Sequence, residues 1–154
     1  MRPVDHVLRV FTDADGRFGN FLGIFLDTGD WTDEFCQSRA HDLGFSETVF
    51  VDDIRTGRIR IFTPTVKLGF AGHPTVGAAW LIDHLGHEVH TLECEVGTVY
   101  SVATQLGATV LADPAWSPPI DLTQVASPEV VDSYRPWEGS HEYVWAWIDE
   151  ARGI

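Results

Sequence analysis

The stretch TVGAAWLIDHL, residues 75–85, constrains the fold most. It is apolar on nearly every side until Asp83, with small residues Gly77, Ala78 and Ala79 along it. A helix without a polar face must be enclosed on all sides. Strands wrapped around one short helix are the simplest enclosure, and the sequence supplies them. Residues 7–11 and 21–27 read as strands flanking the turn-forming run DADGRFGN, so the pair forms a hairpin with a long loop. Residues 46–53 (SETVFVDD) and the run RIRIFTP form a second hairpin around Arg55-Thr56-Gly57. Thr48 and Phe50 share one strand face, and Val49 and Val51 the other. Arg58 and Arg60 read as a solvated face. HTLECEVGTVYSVAT and GATVLADP add two or three further strands.

One more helix lies between the hairpins, in DTGDWTDEFCQSRAHDLGF. Asp30 or Thr32 can cap it, Asp33 and Glu34 suit the dipole of its first turn, and Gly44 suits its C-terminal end. Phe35, Cys36, Arg39, Ala40 and Leu43 recur at helical spacing. Composition changes at Asp113: Pro114, Pro118, Pro119, Pro128 and Pro136 make residues 114–140 a proline-rich linker with one helical turn near 128–133. In the closing run HEYVWAWIDEARGI, Tyr143, Trp145 and Trp147 share one strand face and Val144, Ala146 and Ile148 the other. Both faces are apolar, so this strand needs a sheet to join and a layer to cover it.

Charge and cysteine content exclude several functions. A formal charge of −13 repels nucleic acid backbones and anionic membrane surfaces. Cys36 and Cys94 have neither CxxC nor metal-site spacing and fit a reducing, cytoplasmic compartment. No run is long enough to span a bilayer, and residues 1–11 lack a signal layout. His84, His87 and His90 are spaced by three, but Gly86 ends the helix between them, so no metal is expected. Asp13, Asp15 and Gly16 resemble the start of a calcium loop, but Ile24 stands where the closing acid is required.

The candidate chemistry sits where the central helix begins. A helix start presents free N–H groups and partial positive charge to a carboxylate or phosphate. Gly72 lets a ligand approach the backbone, and Pro74 fits the first helical position, where no N–H is needed. His73 beside them can donate a hydrogen bond or move a proton. The plainer alternative is a simple cap with a structural histidine. Glu47 opens an otherwise apolar strand, and partial burial of a carboxyl there favours acid/base work. The alternative for Glu47 is an ordinary solvated strand end.

Taken together, VFTDADGRFGN, LGFSETVFV, RIRIFTPTVKLGFAGHPTVGAAWLI and YVWAWIDEARG resemble the N-terminal half of the PhzF-like isomerases of phenazine biosynthesis, relatives of diaminopimelate epimerase. The resemblance spans roughly residues 7–113 and 141–153. It implies an α+β fold in which a curved, mostly antiparallel sheet rolls around a central helix, with the active site in a cleft between two such halves. It also implies a cofactor-free proton shift on a small carboxylate; in the best-known members the substrate is a dihydro-hydroxyanthranilate. Glu47 falls on the family's catalytic glutamate, and Gly72 and His73 on its substrate-contacting pair. Pro74 and Thr75 continue that helix start, and Asn20 falls on the asparagine of its Gly-Asn-Pro loop.

Two prolines of the family pattern are replaced here, by Phe21 and by Gly69. The family's second half has no counterpart beyond the opening strand at residues 141–154. The expectation is therefore an isomerase active only when paired, with a missing second lobe or as a homodimer that could exchange tails. The alternative is a non-catalytic small-anion-binding module or partner subunit on the same scaffold.

Overall fold

The computed structural model describes residues 2–116, 121–135 and 142–153. These fall into two units, Met1–Trp116 and Ser117–Ile154. The first unit holds strands β1 (His6–Thr12), β2 (Phe18–Phe25), β3 (Glu47–Asp53), β4 (Arg58–Phe62), β5 (Lys67–Leu68), β6 (Thr91–Cys94), β7 (Gly97–Thr104) and β8 (Gly107–Leu111). Its helices are α1 (Asp33–Leu43) and α2 (Gly72–His84).

The main path through the sheet runs β1-β2-β3-β4-β6-β7-β8, with β5 beside β4. Most neighbours are antiparallel; β2–β3 and β4–β6 are parallel. Both ends of this path, β1 and β8, pack against α2. The sheet thus rolls around α2, the enclosure that an all-apolar helix demands. The roll is not closed. An open groove of about 530 Å³ lies between the β1 and β8 edges, lined by Val10, Phe11, Val76, Trp80 and Leu106 among others.

Strand alternation sorts the core into two layers. Leu22, Ile24, Val49, Val51, Ile59 and Ile61 join Ala78, Leu81 and Ile82 of α2. Phe25, Phe50 and Phe62 turn the other way, onto Cys36 and Ala40 of α1. Each large side chain in these layers contributes roughly 1.5–3 kcal/mol by burial. Small residues set the packing distance: a Cβ on Gly77 would lie 2.5 Å from Leu22 Cδ2.

Helix α1 has the caps its sequence offers. The Thr32 hydroxyl accepts from Phe35 N at 3.3 Å, and Gly44 closes the helix at φ 66°. In α2 the N-cap is Ala71, so Pro74 is the third helical residue rather than the first. The physical reason for tolerating it still holds, because all of the first-turn N–H groups lack intrahelical partners. The first hairpin is tighter than the sequence suggests. β2 begins at Phe18, and Asp13 Oδ1 closes the turn by accepting from Asp15 N at 3.0 Å and Arg17 N at 2.8 Å.

Arg60 departs from its expected solvated position. Its side chain is only 14% exposed, against 59% for Arg58. It lies on the α1 face and donates to Asp52, to Asp33 Oδ1 at 2.7 Å, and to the Trp31 and Thr28 carbonyls at 3.0 Å each. The acidic first turn of α1 covers this face, so the charge meets carboxylates and carbonyls instead of water.

The second unit contains β9 (Asp121–Gln124), α3 (Pro128–Ser133) and β10 (Glu142–Trp145). β9 and β10 pair in parallel, in the register Leu122 to Tyr143. The closing strand therefore has a partner within its own chain and does not require another copy for that edge. The strand ends at Trp145, short of the expected run to Ile148, and Trp147 just beyond it meets Trp145 edge to face at 5.0 Å. The expected extended backbone at Pro118, Pro119 and Pro136 lies outside the described residues.

Candidate active site at the start of the central helix

Glu47 is the first residue of β3, in register with Leu22 of β2. Leu22 points at Gly77 of α2, and Glu47, on the same face, points at the start of α2. Its Oε2 lies 3.4 Å from His73 Nε2. The two side chains are 20% and 10% exposed, and both named atoms are buried with no hydrogen-bond partner. Such atoms are costly unless something completes their bonding.

Burial pushes the His73 pKa below its ordinary value, while the Glu47 carboxylate pulls in the opposite direction. Burial dominates, so the imidazole is neutral near pH 7. A neutral imidazole can donate at one nitrogen and accept at the other. The carboxylate beside it is an acceptor that can take up a proton.

No side chain caps α2, so its first-turn N–H groups keep their positive end available to an anion. Gly72 is exposed, and a Cβ added there would meet no atom within 4 Å. The space over the helix start is therefore open. Pro74 and Thr75 are buried beneath the helix start. The Thr75 hydroxyl donates to the Ala71 carbonyl at 2.7 Å, turned away from the opening. Asn20 is exposed on β2, two positions before Leu22 and on its face, and no hydrogen bond ties it to Glu47 or His73. Thr48 turns to the opposite face, where its buried hydroxyl has no partner; nothing in the structure explains that.

Among the described residues no cluster of three His, Cys, Asp or Glu side chains could hold a metal ion. His84 stacks on Trp80 at 4.7 Å instead. Burial raises the thiols of Cys36 and Cys94 to about 11, which leaves both poor nucleophiles. No described helix is long and apolar enough to cross a membrane.

A mostly antiparallel sheet rolled around one helix gives this lobe an α+β architecture. The chain belongs to the family described as phenazine biosynthesis-like protein, which matches residues 8–141. An uncharacterized isomerase of Pasteurella multocida is 34% identical over 136 residues, covering 85% of this chain and 44% of that protein. The trans-2,3-dihydro-3-hydroxyanthranilate isomerase of Pseudomonas fluorescens is 34% identical over 109 residues, covering 64% of this chain and 39% of that enzyme. The crystal structure of a PhzF-family protein of Bacillus anthracis superimposes with a TM-score of 0.56 at 30% identity, over 68% of this chain and 38% of that one. A PhzC/PhzF protein of Clostridium difficile shares the fold at 18% identity, with a TM-score of 0.62 over 85% of this chain and 60% of that one. The chain spans less than half the length of these two curated relatives.

Proposed function

We propose that this chain is a cofactor-free isomerase of the PhzF-like class, shifting a proton on a small carboxylate substrate. Glu47 takes a proton from a substrate carbon, leaving the electron pair in a conjugated anion, and the proton returns to another carbon. The Gly72 and His73 N–H groups hold the substrate carboxylate, and the neutral His73 ring donates a hydrogen bond or relays the proton. Asn20 borders the substrate from the β2 side. The observation that carries this reading is the 3.4 Å approach of two buried, unpartnered groups beside an uncapped helix start.

The site has a wall on one side and open space over Gly72 on the other. Activity therefore needs a second lobe or a second copy to exclude water. That openness also supports a second reading, a small-anion-binding module without turnover. The test is exchange of carbon-bound protons of trans-2,3-dihydro-3-hydroxyanthranilate in heavy water, followed by NMR across protein concentrations. Exchange that rises with protein self-association and vanishes in Glu47→Gln supports the isomerase. Carboxylate binding with no exchange at any concentration favours the binding module. Exchange unchanged in Glu47→Gln removes Glu47 from its role.

A further inference from the structure

We infer that Thr75 is a positioning residue that holds the first turn of α2 in shape for the anion, and does not touch the ligand itself. The inference rests on the reading of this helix start as a carboxylate site. Thr75 is fully buried, so its hydroxyl cannot reach a ligand over Gly72. It donates to the carbonyl of the N-cap residue, Ala71, at 2.7 Å, and it also meets the Cys94 thiol. The backbone N–H of Thr75 reaches the same carbonyl over a longer 3.3 Å.

The reason for this doubled contact lies one residue earlier. At helix ends an N–H is commonly shared between the carbonyls three and four residues back. Here the third residue after Ala71 is Pro74, which has no N–H to give. Gly72, with the loosest backbone of any residue, occupies the same turn. A helix start built from Gly-His-Pro is thus loosely tied by its own backbone, and the threonine hydroxyl supplies a second, shorter contact to the Ala71 carbonyl. A side-chain bond to a carbonyl four residues back ordinarily weakens a helix slightly. At this position it reinforces the long Thr75 N–H contact to the same carbonyl, in a turn where Pro74 offers no N–H. The turn so fixed carries the Gly72 amide and the His73 ring, which lies 3.4 Å from Glu47.

The test is titration of anthranilate into the native chain, Thr75→Ser and Thr75→Val, read by amide shifts of Gly72 and His73. Valine keeps the volume and removes the hydroxyl; serine keeps the hydroxyl. Native and Thr75→Ser proteins should bind alike, while Thr75→Val binds roughly tenfold more weakly. Thr75→Val should also show altered Gly72 and His73 amide positions before any ligand is added, with other changes confined to the neighbourhood of Cys94. Equal binding by the valine variant overturns the inference, as does equal loss in the serine variant. Global unfolding of Thr75→Val overturns it too, since the effect should be confined to one turn. If the native protein shows no anthranilate shifts at Gly72 and His73, the carboxylate reading itself fails, which is a separate result.

Discussion

Two polar clusters sit on opposite faces of β3, and they are built on opposite terms. Around Arg60, facing α1, every guanidinium N–H is occupied: Asp52, Asp33 and the Thr28 and Trp31 carbonyls take them all. Around Glu47, facing α2, the carboxylate oxygen and the imidazole nitrogen that approach each other have no hydrogen-bond partner. A buried network with all its bonds made fixes a shape. A buried pair with bonds unmade carries an energetic debt that a ligand can relieve. The same strand therefore carries scaffold on one side and candidate chemistry on the other.

The sharpest way to break this comparison is to exchange the expected effects of substitution. Arg60→Ala strands Asp52, whose side chain is 9% exposed, with the Thr28 hydroxyl at 2.9 Å as its main remaining partner. Stability should fall by about 3 kcal/mol in urea unfolding, with anthranilate binding to the folded fraction unchanged. Glu47→Gln should do the reverse. Proton exchange should drop at least ~100-fold, while stability moves by less than about 0.5 kcal/mol. A destabilised Glu47→Gln protein, or an unaffected Arg60→Ala protein, would remove the distinction.

Acid should separate the clusters by pH window. Burial lowers the His73 pKa below its ordinary 6.5, so the unfolded chain binds that proton more readily than the folded one. The stabilising contribution is present above 6.5 and is lost as pH falls from there toward the folded value. Asp33 is held below its ordinary 3.8 by hydrogen bonds from Arg60 and Lys67. Its contribution is present above 3.8 and is lost only at more acidic pH. Thermal unfolding of the native chain and His73→Asn should therefore diverge as pH falls below 6.5, with the native chain showing the steeper loss. Parallel curves there would show that His73 is not held neutral by the fold.

The smallest expected effect is that of Gly72→Ala. With no atom within 4 Å of the new methyl, stability should change by less than about 0.5 kcal/mol. Anthranilate binding should nevertheless weaken, measured by calorimetry, because the methyl intrudes where the carboxylate approaches. Unchanged binding would place the ligand elsewhere.

The elements legible in the sequence were those whose pattern had one physical solution. The helix at residues 72–84 lacks a polar face and had to be wrapped, and α1 carries its own start and stop in Thr32 and Gly44. Alternation assigned Phe50 and Val49 to opposite layers, as the two cores show. Arg60 was misread because alternating Arg-Ile has two solutions. The charged face can meet water or a layer of carboxylates, and only the placement of Asp33 and Asp52 decides. The inward turn of Thr75 was hidden for a related reason. Its family motif places it at the helix start, but not on which side of that helix its hydroxyl lies. The approach of Glu47 to His73 came from a family motif, since no local pattern predicts which strand end meets which helix start across 26 residues.

The rolled sheet has a consequence for how the chain reaches this state. Helix α2 packs against β1, near the beginning, and against β8, which ends at Leu111. Until β8 has left the ribosome, the most apolar helix of the molecule has only a partial wrapping. Pairings so distant in sequence form slowly and leave greasy surface bare in the meantime. The order of synthesis thus makes the last strands of this lobe the guard against its own aggregation.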